Sequence, residues 1–511
     1  MTATPHLTTF RTMKTTTALI LSGLTLSTLA EDWPMWGRDG TRNMVGNAKN
    51  LPTDINPGEL DDETEAAILT EAKNIKWVAK LGSQAYGNTV VAGGKVFVGT
   101  NNESPRDPKQ TGDRGVLMAF NEKDGSFAWQ LIIPKLGAGK VSDWEYVGLC
   151  SSPAIEGDRM WLVTNRGEVV CLDVNGMANG NDGPFKDEAK YESVDGTPVE
   201  ITKQSADIIW IYDMREELGI FPHNVSSCSP VIDGDMLFTA TSNGVDWSHT
   251  NIPAPAAPAL IALNKNTGKL VGEEASGVSE RVLHASWSSP AHGPLDGKDT
   301  IAWGGGDGYA YAFDPIPEKD DDGFGIFKEL WKRDANPPEY REKEGKPIKY
   351  ATYAGPSEII GTAVIAENQV YIITGQDPEH GDGIGIITCL SADGKPVWTS
   401  KDVGRSISTV SVADGLVYAA EYKGDITCFD SKTGKQYWKY ETQSRIWGST
   451  LVADGKVWIG TEDGELHILE TGKELKPVNT IEFPAPIYSS GVVANDVVYI
   501  ATQTHLYAIG K

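Results

Sequence analysis

Towards its C-terminal end the sequence repeats itself at an interval of 40 residues. Residues 409–413 alternate, Asp414-Gly415 turns, 416–420 returns, Tyr422-Lys423-Gly424 turns, 425–429 runs out, Thr433-Gly434 turns and 436–440 closes. The next copy follows at once with Ala453-Asp454-Gly455, 456–460, 465–469 and Thr471-Gly472, so Asp454 lies 40 residues beyond Asp414. Asp-Gly between alternating apolar runs is a strong hairpin signal, because both residues tolerate positive φ. A four-stranded unit at this period is the mark of a β-propeller blade. It overrides the several domains that 511 residues would otherwise suggest.

The same grammar runs along the chain. Blades are read at 89–130, 151–212, 229–271, 288–332, 362–399, 409–440, 449–483 and 489–509. The last has only three strands, and 75–81 is a spare strand at the other end. Joining the two closes the ring and removes both open edges. The expected fold is all-β: an eight-bladed β-propeller of four-stranded antiparallel blades, closed by an N-terminal strand. The expected organisation is a signal peptide over 1–30, an N-terminal arm over 31–74 and a single propeller over 75–511.

Six closing strands carry tryptophan: Trp77, Trp129, Trp210, Trp331, Trp398 and Trp438. They are read as rings wedged between neighbouring blades, each contributing on the order of 3 kcal/mol if buried. Cys171, Cys389 and Cys428 occupy the slot held elsewhere by Ala119, Ala262, Ala312 and Ala508, and are read as buried thiols. Cys150 and Cys228 enter the inner strands of adjacent blades. A bridge between them would need Cα atoms within about 7 Å.

Arg11, Lys14, the mostly apolar 18–29 and Thr28-Leu29-Ala30 read as an export signal cleaved near Ala30, with Met1 or Met13 as start. The mature chain is expected to be periplasmic or extracellular, monomeric and without a transmembrane segment. A net charge of −25 argues against nucleic-acid partners. Residues 61–73, acidic at their start, read as a helix.

Trp33, Trp36, Gly37, Arg38 and Asp39, followed by a strand carrying Trp77, resemble the opening of pyrroloquinoline quinone (PQQ) dehydrogenases and their non-enzymatic relatives. The phrases Ala262-Leu263-Asn264…Thr267-Gly268 and Cys428-Phe429-Asp430…Thr433-Gly434…Trp438 are similar to that family's repeat. The resemblance covers roughly residues 32–511 and implies the fold. Activity does not follow, because binding proteins and enzymes share the scaffold. For the enzymes it implies calcium, an Asp base, an Arg at the quinone and a Trp floor. Glu145, Asn224, Asp246, Arg405 and Trp447 are the residues those roles would fall on. The adjacent cysteine pair of many such enzymes is absent, and 244–259 lacks their Arg-Pro-Gly-Asp-Asn type of run.

Residues just before each inner strand should ring a central funnel. They are Tyr86 and Asn88; Trp144, Glu145 and Tyr146; His223 and Asn224; His284 and Trp287; Tyr353 and Glu358; Arg405; Arg445 and Trp447; and Tyr488. Aromatic and polar groups converging on a concave surface are the default binding site. Asp173, Asn175, Asn179, Asn181 and Asp182 form an oxygen-rich loop that either cages calcium or only makes Asx turns. The sequence therefore reads as an exported binding or scaffold propeller with no catalytic residues assigned and no cofactor expected. Its ligand would be a protein, as for the similar propellers that help assemble outer-membrane proteins, or a carbohydrate. The alternative is a PQQ- and calcium-dependent dehydrogenase of alcohols or sugars.

Overall fold

A computed structural model describes residues 1–2, 31–349, 351–352, 355–380 and 383–511. The expected leader lies almost wholly outside the described residues. Eight antiparallel blades form a ring in the anticipated order. The eighth combines Val492–Ala494, Val497–Ala501 and His505–Ile509 with Ile75–Lys80, in the register Ala508 to Trp77. The two ends of the propeller are thus sewn into one sheet, leaving no unpaired edge at the seam. No helix among the described residues is long and apolar enough to cross a membrane.

The tryptophans dock the blades. Each indole donates to a backbone carbonyl of the next blade: Trp77 to Glu122, Trp129 to Val174, Trp210 to Lys265, Trp331 to Ala392, Trp398 to Ser431 and Trp438 to Gly472, all at 2.7–3.2 Å. In four of these joints a turn glycine lies under the indole. A Cβ on Gly125, Gly268, Gly394 or Gly434 would fall 2.5–2.6 Å from the ring. The repeated threonine-glycine or aspartate-glycine turn is therefore a seat for the neighbour's tryptophan. Opposite each tryptophan sits the small residue of the third strand, as in Cys389 to Trp398 and Ala119 to Trp129. The strand slips register by one residue there. This explains the three slot cysteines, and all five cysteines are free thiols, Cys150 and Cys228 included.

One expectation fails locally. Residues 61–73 are not a helix; Glu59–Leu60 and Ala67–Ile68 form a small hairpin. The Asp61 carboxylate accepts from the Glu63 and Thr64 amides and the Thr64 hydroxyl, and so caps a turn. The acidic stretch at 318–322 is exposed and opens with a short strand. Glu318–Lys319 pairs with Gly325–Ile326, which extends the outer edge of the third blade beside Glu273.

The N-terminal arm plugs the ring. It contacts the inner strands of successive blades in turn. The Trp33 amide donates to the Val91 carbonyl and the Ile155 amide to Pro34. The amides of His292 and Ile365 donate to the carbonyls of Gly40 and Thr41. The Asn43 side chain bonds Val412, and Val45–Gly46 pairs in parallel with Leu451–Ala453. Gly46 finally abuts Val493, whose Cγ1 leaves no room for a Cβ. At the centre is Arg42, fully buried, with its guanidinium donating to the carbonyls of Pro290, Trp36 and Ser229 at 2.7–2.9 Å. The channel is consequently a cup with a floor.

Candidate functional site: the floored funnel and its histidine wall

Hydroxyl side chains gird the cup above the plug. The Ser152 amide donates to Ser229 Oγ and the Ser229 amide to Ser289 Oγ. The amides of Thr362, Thr409, Ser449 and Ser490 donate in turn to Thr409 Oγ1, Ser449 Oγ, Ser490 Oγ and Asn88 Oδ1. Each bond crosses a blade boundary, so these hydroxyls are committed to holding the ring. The Trp36 indole, rising from the plug, donates to Thr362 Oγ1 at 3.0 Å and completes the floor.

The cup above has a volume of about 510 Å³. One wall is aromatic: Tyr86 stacks on Tyr488 at 5.0 Å, and Trp447 meets Tyr488 edge-on at 5.2 Å. Trp447 is held by an indole bond of 2.9 Å to Glu462. Facing it are Glu145, Tyr146, Asn224 and Trp287. Asn224 and Tyr146 both take left-handed φ, 57° and 61°. Of the anticipated ring, Tyr86, Asn88, Trp144, Glu145, Tyr146, Asn224, Trp287, Trp447 and Tyr488 line the cup. Arg445 instead lies on the outside against Tyr422. Arg405 is buried behind the wall, donating to the carbonyls of His380 and Thr352. Tyr353 falls outside the described residues. Trp36, Gln84, Cys150 and Asp377 also line the cup and were not foreseen. Burial pushes the Cys150 thiol up to about 12, which keeps it protonated.

His223, His284 and Glu358 do not face the cup. They sit behind Trp287, whose ring packs edge-on against His284 at 4.9 Å. There they meet His249 and His380, so four of the eight histidines of the chain converge. They come from three consecutive blades: His223 and His249 from the third, His284 from the fourth, His380 from the fifth. Burial and the neighbouring His284 lower the His223 pKa to about 3, so its ring is neutral. Burial alone would raise the Asp377 carboxyl, but the close approach of the His284 and His380 rings outweighs it and holds the group well below the usual range. Burial and the proximity of Asp377 raise Glu358 well above it. No motif spacing announced this cluster.

The residues named for quinone and calcium are not assembled. Glu145, Asn224 and Trp447 line the cup, but Arg405 does not. The Asp246 carboxylate is turned onto Ser248 and Asn251, where their bonds lower its pKa. The donors concentrated behind the wall are imidazoles, whereas calcium takes oxygen. In the oxygen-rich loop, Asp173 and Asp182 come together with Asp207. Asp173 is also paired with Arg159 at 2.6 Å, and Asn175 accepts from Lys95. The Asn181 side chain accepts from Lys186 and donates to Glu188, and Asn179 reaches Asp173 only at 3.5 Å.

A family model described as outer membrane protein assembly factor BamB matches residues 61–182 and 383–510. No curated protein sequence matches the chain. Among solved structures, a europium-containing methanol dehydrogenase is similar over 94% of this chain and 98% of its own, at 12% identity and a TM-score of 0.60. Quinohemoprotein alcohol dehydrogenase ADHIIG from Pseudomonas putida HK5 is similar over 93% and 80%, at 12% identity and 0.57. BamB from Moraxella catarrhalis is similar over 84% and 95%, at 14% identity and 0.50. At such identities the structural likeness speaks for the fold.

Proposed function

We propose that this chain, a propeller of PQQ-type repeats related to both BamB and the quinoprotein dehydrogenases, is an exported binding protein whose cup takes a carbohydrate. The observation that carries the reading is the wall of Tyr86, Tyr488 and Trp447 facing Glu145, Tyr146 and Asn224 across about 510 Å³. A sugar ring offers an apolar C–H face and a rim of hydroxyls. Stacked half-buried rings match the first, and a few convergent polar groups match the second. The plug blocks passage, so the ligand enters and leaves by one mouth.

Catalysis with quinone and calcium is the weaker reading, because Arg405 and Asp246 do not reach the cup. A protein partner is favoured by Trp247, 76% exposed on the insertion beside the mouth, and by the match to an assembly factor. Titrating the protein with cell-envelope oligosaccharides while following tryptophan fluorescence tests the proposal. Saturable quenching that disappears in Trp447→Ala is expected. Unchanged fluorescence across the panel, with a partner captured from envelope extract through Trp247, would replace it by the protein reading. Added PQQ and Ca²⁺ giving dye reduction with alcohols would replace both.

A further inference from the structure

Independently of what the cup binds, we infer that His223, His249 and His284 form a binding site for a divalent transition metal of the zinc type, with Asp377 and His380 as its supporting shell. The candidate ligand nitrogens of the three histidines lie within 4.8 Å of one another. Tetrahedral zinc with bonds of about 2.0–2.1 Å needs N···N separations of roughly 3.4 Å, which modest side-chain rotation supplies.

The arrangement around the three rings has the features such a site requires. His223 Nδ1 lies 2.6 Å from the Val245 carbonyl, so that nitrogen carries the proton and Nε2 keeps its lone pair. His223 Nε2 is buried and has no hydrogen-bond partner. His284 is 1% exposed, and neither of its nitrogens makes an aligned hydrogen bond. Its Nδ1 nevertheless abuts Asp377 Oδ2 at 2.5 Å, the carboxylate–histidine pairing that orients metal-bound imidazole. The same carboxylate oxygen lies 2.9 Å from His380 Nδ1. Both oxygens of the fully buried Glu358 are also without a partner, 3.9 Å from His284 at the nearest.

A packed core seldom leaves so many polar atoms unsatisfied. A cation bound to the rings would satisfy the nitrogens directly and compensate Glu358. Two carboxyl groups, Asp377 and Glu358, adjoin the imidazoles and supply oxygen acceptors beside the ring nitrogens. Imidazole selects zinc, copper or nickel over calcium and magnesium. His249 is half-buried, which gives the ion a route in from solvent and leaves a coordination position for an exogenous ligand.

The test uses the full chain without a polyhistidine tag, stripped with chelator and then titrated with Zn²⁺ by calorimetry and with Co²⁺ by visible absorption. A single ion per chain is expected, with the intense bands of low-coordinate Co²⁺, bleached by Zn²⁺. Asp377→Asn should weaken Zn²⁺ binding 10–100-fold. His249→Ala, on a half-exposed loop, should leave the metal-free melting curve unchanged and abolish the Co²⁺ bands. No Zn²⁺ binding by the parent chain, or undiminished binding in both His249→Ala and His284→Gln, would overturn the assignment.

Discussion

Glu192 shows how one buried side chain sets a pH response. It is 2% exposed and accepts only from Gln110 Nε2 at 3.2 Å and the Ile132 amide at 3.4 Å. Burial raises its pKa to about 7, with Glu188 and Asp107 adding to the shift and the two hydrogen bonds opposing it. The unfolded value is about 4.3. Between these values the native state holds more protons than the unfolded chain, so stability falls as pH rises from about 4.3 to 7. The full swing is ~4 kcal/mol. Glu192→Gln keeps the shape and cannot ionise. Its melting temperature should lose part of this slope and exceed that of the parent at pH 8. A parallel pair of pH–melting curves would refute the account. A second residue-scale test concerns the docking indoles. Trp398→Phe keeps a ring over Gly434 but leaves the Ser431 carbonyl only the longer bond from the Tyr371 hydroxyl at 3.4 Å. A loss of about 1 kcal/mol by urea unfolding is expected.

The arm is the element whose importance exceeds its length. Three buried carbonyls, from different parts of the chain, accept from the Arg42 guanidinium. Burial lowers its pKa to about 10, so it is charged at neutral pH. Arg42→Met fills similar space but leaves those acceptors bare. It should destabilise by ~3 kcal/mol or more, read as a lower urea midpoint at unchanged m. An unchanged midpoint would mean that water replaces the guanidinium. Blades could be read from sequence because each is local: its turns recur at fixed offsets and its tryptophan falls four residues after a glycine in Trp129, Trp398 and Trp438. The arm has no such period, since its contacts pass from blade to blade rather than repeating within one. The misread helix at 61–73 has a related cause. Acidic residues favour both a helix start and an Asx-capped turn, and Thr64 beside Asp61 decides for the turn. Funnel residues adjoining the inner strands were largely legible from blade phase. His249 and His380 were not, because they lie on insertions whose direction only the folded loops determine.

At the scale of the molecule, closure of the ring couples residues more than 400 positions apart. His505–Ile509 and Ile75–Lys80 make a ladder no different in kind from those inside other blades, yet it joins the first and last strands of the propeller into one blade. The Leu81 amide donates to the Thr504 carbonyl, so alternation places the Ala79–Leu506 pair among those that exchange both backbone bonds. Ala79→Pro therefore removes a rung and the strand with it, at about 3 kcal/mol. Tyr440→Pro is the matched control: the Thr442 amide donates to Gly424, which puts Tyr440–Ile426 in the same class of pair within the sixth blade. Both variants lose comparable local bonding, but only Ala79→Pro opens the ring and exposes His505–Ile509 as a free edge beside the inter-blade seat of Trp77. Light scattering should show concentration-dependent association for Ala79→Pro and little for Tyr440→Pro. Thermal unfolding of Ala79→Pro should also split into more than one step, since the arm would still tie the inner strands while the eighth blade frays. Equal behaviour of the two variants would mean that the plug, and not the seam, holds the propeller together.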